Sequence, residues 1–111
     1  MKNAKTRMPL NKMLDIMMNQ TITLNLPYDL TDSEWGKVLD VYKSMDGWQD
    51  NESYPCWFGT EDDEQNILVS VEPSGLVISG SVNEMLWFGW ITVLCAKLTL
   101  ALGREIHDAD V

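Results

Sequence analysis

The sequence predicts an α+β two-layer sandwich, in which an antiparallel sheet of about four strands carries two main helices packed on it. Three observations lead there. Apolar residues alternate strictly from Thr21 to Leu26, and they recur at helical spacing from Trp35 to Met45. Period-two segments then flank a Pro73-Ser74-Gly75 turn and run into a long apolar stretch from Met85 to Gly103. The order is therefore strand, helix, three strands, helix, and a sheet with helices on one face is the layer arrangement that buries all of them. At 111 residues, 45% hydrophobic, the chain is sized for one domain with a packed core. A single α+β domain is expected over 19–111, preceded by a basic arm over 1–18 with a short helix from Asn11 to Met18.

The first strand places Ile22, Leu24 and Leu26 on one face and Thr21, Thr23 and Asn25 on the other, and Pro27 ends it. Thr31-Asp32-Ser33-Glu34 is a capping box: the Thr31 hydroxyl can accept the Glu34 amide proton while the Glu34 carboxylate reaches back to the Thr31 amide. Leu30 and Trp35 are spaced for a hydrophobic staple across it. Trp35, Val38, Leu39, Tyr42 and Met45 then mark the apolar stripe of a helix over about Asp32–Asp46, with Gly47 as its stop. Tyr54-Pro55-Cys56-Trp57-Phe58-Gly59 reads as a short aromatic strand, with Pro55 confining it to an edge or to its first residues. After an acidic loop over Thr60–Asn66, Ile67–Glu72 forms a strand, and Leu76, Ile78, Gly80 and Val82 form its return. Gly75 is a turn glycine, and Gly80 is assigned to strand twist.

The last helix starts at a second capping box, Ser81-Val82-Asn83-Glu84, or at Asn83 alone. From Met85 to Gly103 it approaches the ~20 residues that cross a bilayer. Lys97 inside the segment, an uninterrupted apolar run only from Met85 to Ala96, and no basic residue within ten positions on its N-terminal side all oppose a span. The expectation is a central core helix covered on two sides. Arg104–Val111 follows as an extended polar tail, with a short strand around Ile106.

Charge narrows the partner. Seventeen acidic residues against eight basic ones give −9. Lys2, Lys5, Arg7 and Lys12 fall in the first dozen residues. From Met13 onward 17 acidic and 4 basic residues remain, a net of −13. Phosphate binding needs clustered Lys and Arg, so nucleic acid and anionic membranes are disfavoured and a basic protein partner is favoured. The leader lacks an uninterrupted apolar h-region, because Asp15 breaks Met13–Met18. An upstream start is the other reading of it, since Met8 could itself begin the chain. A cytoplasmic protein is expected.

Catalytic and metal chemistry has little to stand on. Cys56 and Cys95 make no zinc motif and read as free thiols of a reducing compartment rather than as a bridge. His107 is the only imidazole and reads as a solvated tail residue. Glu61-Asp62-Asp63-Glu64 lacks the alternating ligands and central glycine of a calcium loop. No cofactor and no enzymatic activity are expected. The acidic run reads as a solvated loop or, more sharply, as a docking surface whose repulsion a cationic partner would relieve. Trp48 and Trp57 flank Gln49–Ser53, which holds Asp50 and Glu52. Exposed tryptophan beside carboxylates is the composition of an interface hot spot. The candidate partner-binding residues are Trp48, Asp50, Glu52, Trp57, Glu61, Asp62, Asp63 and Glu64.

One further pattern bears on function. Ile22-Thr23-Leu24, Leu30…Ser33-Glu34-Trp35 and Trp57-Phe58-Gly59 before an acidic loop are followed by Ser70-Val71-Glu72-Pro73-Ser74-Gly75-Leu76, Trp87…Trp90 and Ala101-Leu102-Gly103…Asp108-Ala109. Over about Thr21–Asp110 this order resembles small bacterial immunity proteins of polymorphic toxin and contact-dependent growth inhibition systems. The resemblance implies a cytoplasmic protein that binds the toxin domain of a cognate secreted effector and blocks its action. Such toxins are often basic nucleases, in keeping with the acidic body. Two rival classes are an acidic nucleic-acid mimic that inhibits a DNA-binding enzyme, and a small enzyme acting on a metabolite.

Overall fold

The computed structural model describes residues 17–110. The basic arm and most of its expected helix lie outside the described residues. Met17 and Met18, placed in that helix by the sequence, instead open a strand.

Strand β1 spans Met17–Leu24, helix α1 Asp32–Ser44, β2 Cys56–Trp57, β3 Asn66–Glu72, β4 Gly75–Asn83 and helix α2 Glu84–Leu102. The four strands form one antiparallel sheet in the order β1-β4-β3-β2, and the helices pack against it. This is the expected α+β sandwich. β1 starts earlier than its alternating run because β4 offers nine residues of partner, pairing Met17 with Asn83 and Leu24 with Leu76. Leu26 lies past the strand yet is buried.

Each helix starts as its local chemistry dictates. The Thr31 hydroxyl accepts from the Glu34 amide at 3.1 Å, and the Glu34 carboxylate accepts from the Thr31 amide at 3.0 Å. These hydrogen bonds hold the Glu34 pKa below the ordinary carboxylate value. For α2 the cap is Asn83 alone, whose Oδ1 accepts from the Met85 and Leu86 amides at 2.8 and 3.3 Å. Gly103 ends α2 in the left-handed conformation and donates its N–H to Thr99 O.

The core lies between sheet and helices, built from Leu24, Ile67, Leu76, Ile78 and Val82 below and Val38, Tyr42, Trp87, Trp90, Leu94 and Leu98 above. Gly80 has a different reason from the expected strand twist. A Cβ there would come within 2.5 Å of the Trp87 ring, so the missing side chain is the seat of that indole.

α2 departs from the expectation in a second way. Trp87, Trp90, Ile91, Leu94 and Leu98 are buried, but the opposite side of the helix is open, so it is covered on one side and not two. It is long and apolar enough to cross a membrane by length and composition, and its five buried residues are committed to the domain core. Lys97 ties it to α1, donating to Ser44 O and Oγ at 3.2 and 3.0 Å.

The tail is stitched down rather than solvated. Ile106 is buried, the His107 amide donates to Asn25 Oδ1 at 2.8 Å, and Asn25 and Ala109 amides bond across to His107 O and Thr23 O. A single bridge, Leu24 to Asp108, stands where a short strand was expected. His107 is half-buried, contrary to its reading as a solvated residue.

Candidate acidic docking surface

The aromatic strand expected over Tyr54–Gly59 contracts to Cys56 and Trp57, and the reason is local. Pro55 has no N–H for the ladder. Phe58 turns out of the strand at a φ of 68° and donates its amide to Gly47 O. Its ring then occupies the space beside Gly47, where a Cβ would meet it at 2.6 Å. α1 ends at Ser44 with Met45 as its cap, short of the expected stop at Gly47; Gly47, at a φ of 86°, instead turns the chain after it and forms one interlocked corner with the end of β2.

This corner decides the fate of the two candidate tryptophans. Trp57 is fully buried, which corrects its assignment as an exposed anchor. Its Nε1 donates to Tyr42 O at 2.9 Å, and its ring meets Tyr42, Trp48 and Trp90 edge-on at 5.3, 5.6 and 4.8 Å between centroids. Strand alternation explains the error. Trp57 pairs with Ile67 and shares its inward face, where α1 and α2 close over it. Trp48 is only half-buried and leans on the outer edge of that cluster. It alone of the pair retains surface to offer.

The carboxylates stand on two loops either side of β2. Asp50 and Glu52 are exposed on the first, which closes through Gln49 N–H to Cys56 O at 3.0 Å and a Ser53 N–H to Asn51 Oδ1 bond at 2.7 Å. Glu61, Asp62, Asp63 and Glu64 are exposed on the second. The loops are joined where the Glu61 amide donates to Tyr54 Oη at 3.0 Å. The Tyr54–Glu61 bond thus links the two loops that carry the candidate carboxylates, and Trp57 is removed inward.

The four adjacent carboxylates are not equivalent. Asp63 Oδ2 accepts from the Thr60 amide at 2.7 Å and lies 3.2 Å from the Thr60 hydroxyl, while its backbone oxygen accepts from Asn66 Nδ2 at 3.0 Å. It holds the loop's shape, and Glu61, Asp62 and Glu64 are the carboxylates left to face a ligand. Gly59 fits beneath, with a Cβ position only 2.2 Å from Gln65 O.

No family model, no curated protein and no solved structure matches the chain. Its own chemistry therefore has to identify the site.

Two further features were not singled out from the sequence. A shallow groove of about 190 Å³ lies beside the acidic loop, lined by Tyr54, Glu61, Leu68 and Val69. Only pairing of β3 with β2 puts Leu68 next to this loop, and no local pattern signals it. The other feature is legible in one dimension. Between Lys43 and Lys97 there is no Lys or Arg, while Asp46, Asp50, Glu52, the Glu61–Glu64 run, Glu72 and Glu84 all fall there.

Cys56 lies under the first loop, fully buried. Desolvation pushes its thiol pKa up, the Asp63 charge adds to this, and a weak bond from Asn51 opposes it. Full burial and a raised thiol pKa suit a packing residue. Among the described residues, no group of three or more His, Cys, Asp or Glu could hold a metal ion.

Proposed function

We propose that the chain is an immunity protein that binds and neutralises a cognate basic toxin domain of a secreted effector, with the β2 end as its docking surface. One observation carries this reading. Two ordered loops, locked by the Tyr54–Glu61 bond, present exposed carboxylates in a stretch of chain with no basic residue to neutralise them. Beside them a groove with Leu68 and Val69 in its wall and Glu61 at its rim suits the aliphatic stem and cationic head of a lysine or arginine. Surface carboxylates of this density steer a basic partner and speed its association, at a cost in salt sensitivity. Trp48 supplies the partly apolar contact beside them. Cytoplasmic location and a non-enzymatic role belong to the same proposal.

The test is whether a secreted effector is encoded beside this chain, and whether its C-terminal domain co-purifies with the chain and is neutralised by it. The triple variant E61K/D62K/E64K should lose protection while its melting temperature is unchanged. Full protection by that variant removes the loop from the interface. Displacement of DNA from several unrelated DNA-binding proteins would instead identify an acidic nucleic-acid mimic.

A further inference from the structure

The open side of α2 is a surface of a different kind, apolar where the β2 end is acidic. Met85, Phe88, Gly89, Val93, Ala96 and Leu100 project from it within one arc of the helix and are all exposed. The large members are left 72% (Met85), 58% (Phe88), 46% (Val93) and 85% (Leu100) accessible. The two other residues of the arc, Thr92 and Thr99, are also uncharged. From Met85 to Leu100 it runs about 22 Å along the helix. Side chains of this size and exposure present on the order of 450 Å² of apolar surface, which matches the apolar part of a ~800 Å² half-interface.

Gly89 has no role within the fold. A Cβ there would meet nothing within 4 Å, yet a mid-helix glycine costs about 0.5–1 kcal/mol relative to alanine. Gly36 in α1 is equally open, so Gly89 leaves room for another backbone without requiring one.

The pattern is self-complementary when read antiparallel. A two-fold axis between Thr92 and Val93 sets Met85 against the partner's Leu100 and Gly89 against the partner's Ala96. Met85 then meets Leu100 at each end and Gly89 meets Ala96 nearer the centre, while Phe88 falls opposite the partner's Lys97. The same axis sets exposed Glu84 within about a helical turn of the partner's Arg104, a charge that also acts on Glu34 of its own copy. We propose that this arc is the interface of an antiparallel, two-fold symmetric dimer of the chain. The terminal ion pairs set register more than affinity. The overall negative charge of each copy disfavours an anionic membrane as the occupant.

Sedimentation equilibrium of the full chain from 1 to 100 µM tests this, with neutral phosphatidylcholine vesicles as a second probe. The expected result is a concentration-dependent dimer that A96E abolishes, with the melting temperature of the dilute monomer unchanged. G89A should weaken the dimer tenfold or more without lowering monomer stability. The swap E84R/R104E should retain the dimer that either single reversal weakens. A wild-type monomer at 100 µM, a dimer indifferent to A96E, or vesicle binding by a monomer would each overturn the proposal. None of these outcomes depends on the toxin-binding reading.

Discussion

The β2 end and the open arc of α2 are both surfaces with unmet needs, and the needs are opposite. At the β2 end the exposed groups are carboxylates that water already solvates, so nothing is lost in the free chain and a partner gains mainly by matching charge. Along α2 the exposed groups are apolar, and water is the poor environment. The first surface suits fast, reversible, salt-sensitive encounter. The second suits an association held by burial, which added salt does not weaken. The two proposals therefore call for associations with opposite responses to salt.

The comparison requires the aromatic cluster to be the inner wall of the β2 end and not its outer surface. W57A is the sharpest way to break it. Loss of a fully buried indole, its bond to Tyr42 O and three edge-on contacts should cost about 3–5 kcal/mol in urea unfolding. A stable W57A protein with impaired toxin binding would move Trp57 back to the surface.

Next in size is the charge effect. For E61K/D62K/E64K the association rate with a basic partner at 50 mM salt should fall at least tenfold, equivalent to about 1.4 kcal/mol. Raising salt to 0.5 M should erase most of the difference between variant and parent. Dimerisation through α2, measured across the same range, should not weaken. Parallel salt responses of the two associations would dissolve the distinction between the surfaces.

Within the acidic loop, D63A separates architecture from charge. Losing its bonds to Thr60 at the surface should cost about 1 kcal/mol of stability, whereas E61A, D62A and E64A should each change it by less than about 0.5 kcal/mol. Equal effects at all four positions, read from chemical denaturation, would show that the loop has no internal keystone.

Legibility in the sequence follows the same division between local and non-local causes. The capping box, the turn at Pro73-Ser74-Gly75 and the stop at Gly103 are set by neighbours within a few residues, and all were readable. α1 was readable because its stripe is narrow and its other face polar. α2 was only half readable. A helix apolar around most of its circumference says nothing about which side the sheet will cover, so an open arc reads like a second buried side. At the site, the exposed carboxylates were legible as charge, but the separate task of Asp63 depends on where the loop closes. Trp48 and Trp57 look alike in composition, and only pairing of Trp57 with Ile67 sends one of them inward. The basic-free stretch from Lys43 to Lys97 was there to be read.

The smallest expected effect has the opposite sign, and it probes the seam between the aromatic wall and α1. Tyr42 Oη is buried with no hydrogen-bond partner among the described residues, and burial pushes the phenol pKa up. An unpaired buried hydroxyl is a cost, so Y42F should leave stability at pH 7 unchanged or raise it by up to about 1 kcal/mol. The pH dependence follows from linkage. A phenol whose folded pKa is raised is more readily deprotonated in the unfolded chain, so stability is intact below about pH 10 and declines as pH rises above it. Y42F should remove that component of the alkaline decline. The contribution of Cys56, whose raised thiol pKa acts from about pH 8.5, should remain. A Y42F protein that loses more than 1 kcal/mol at pH 7 would show that the hydroxyl has a partner after all, and that the wall behind Trp57 is polar where it is taken to be dry.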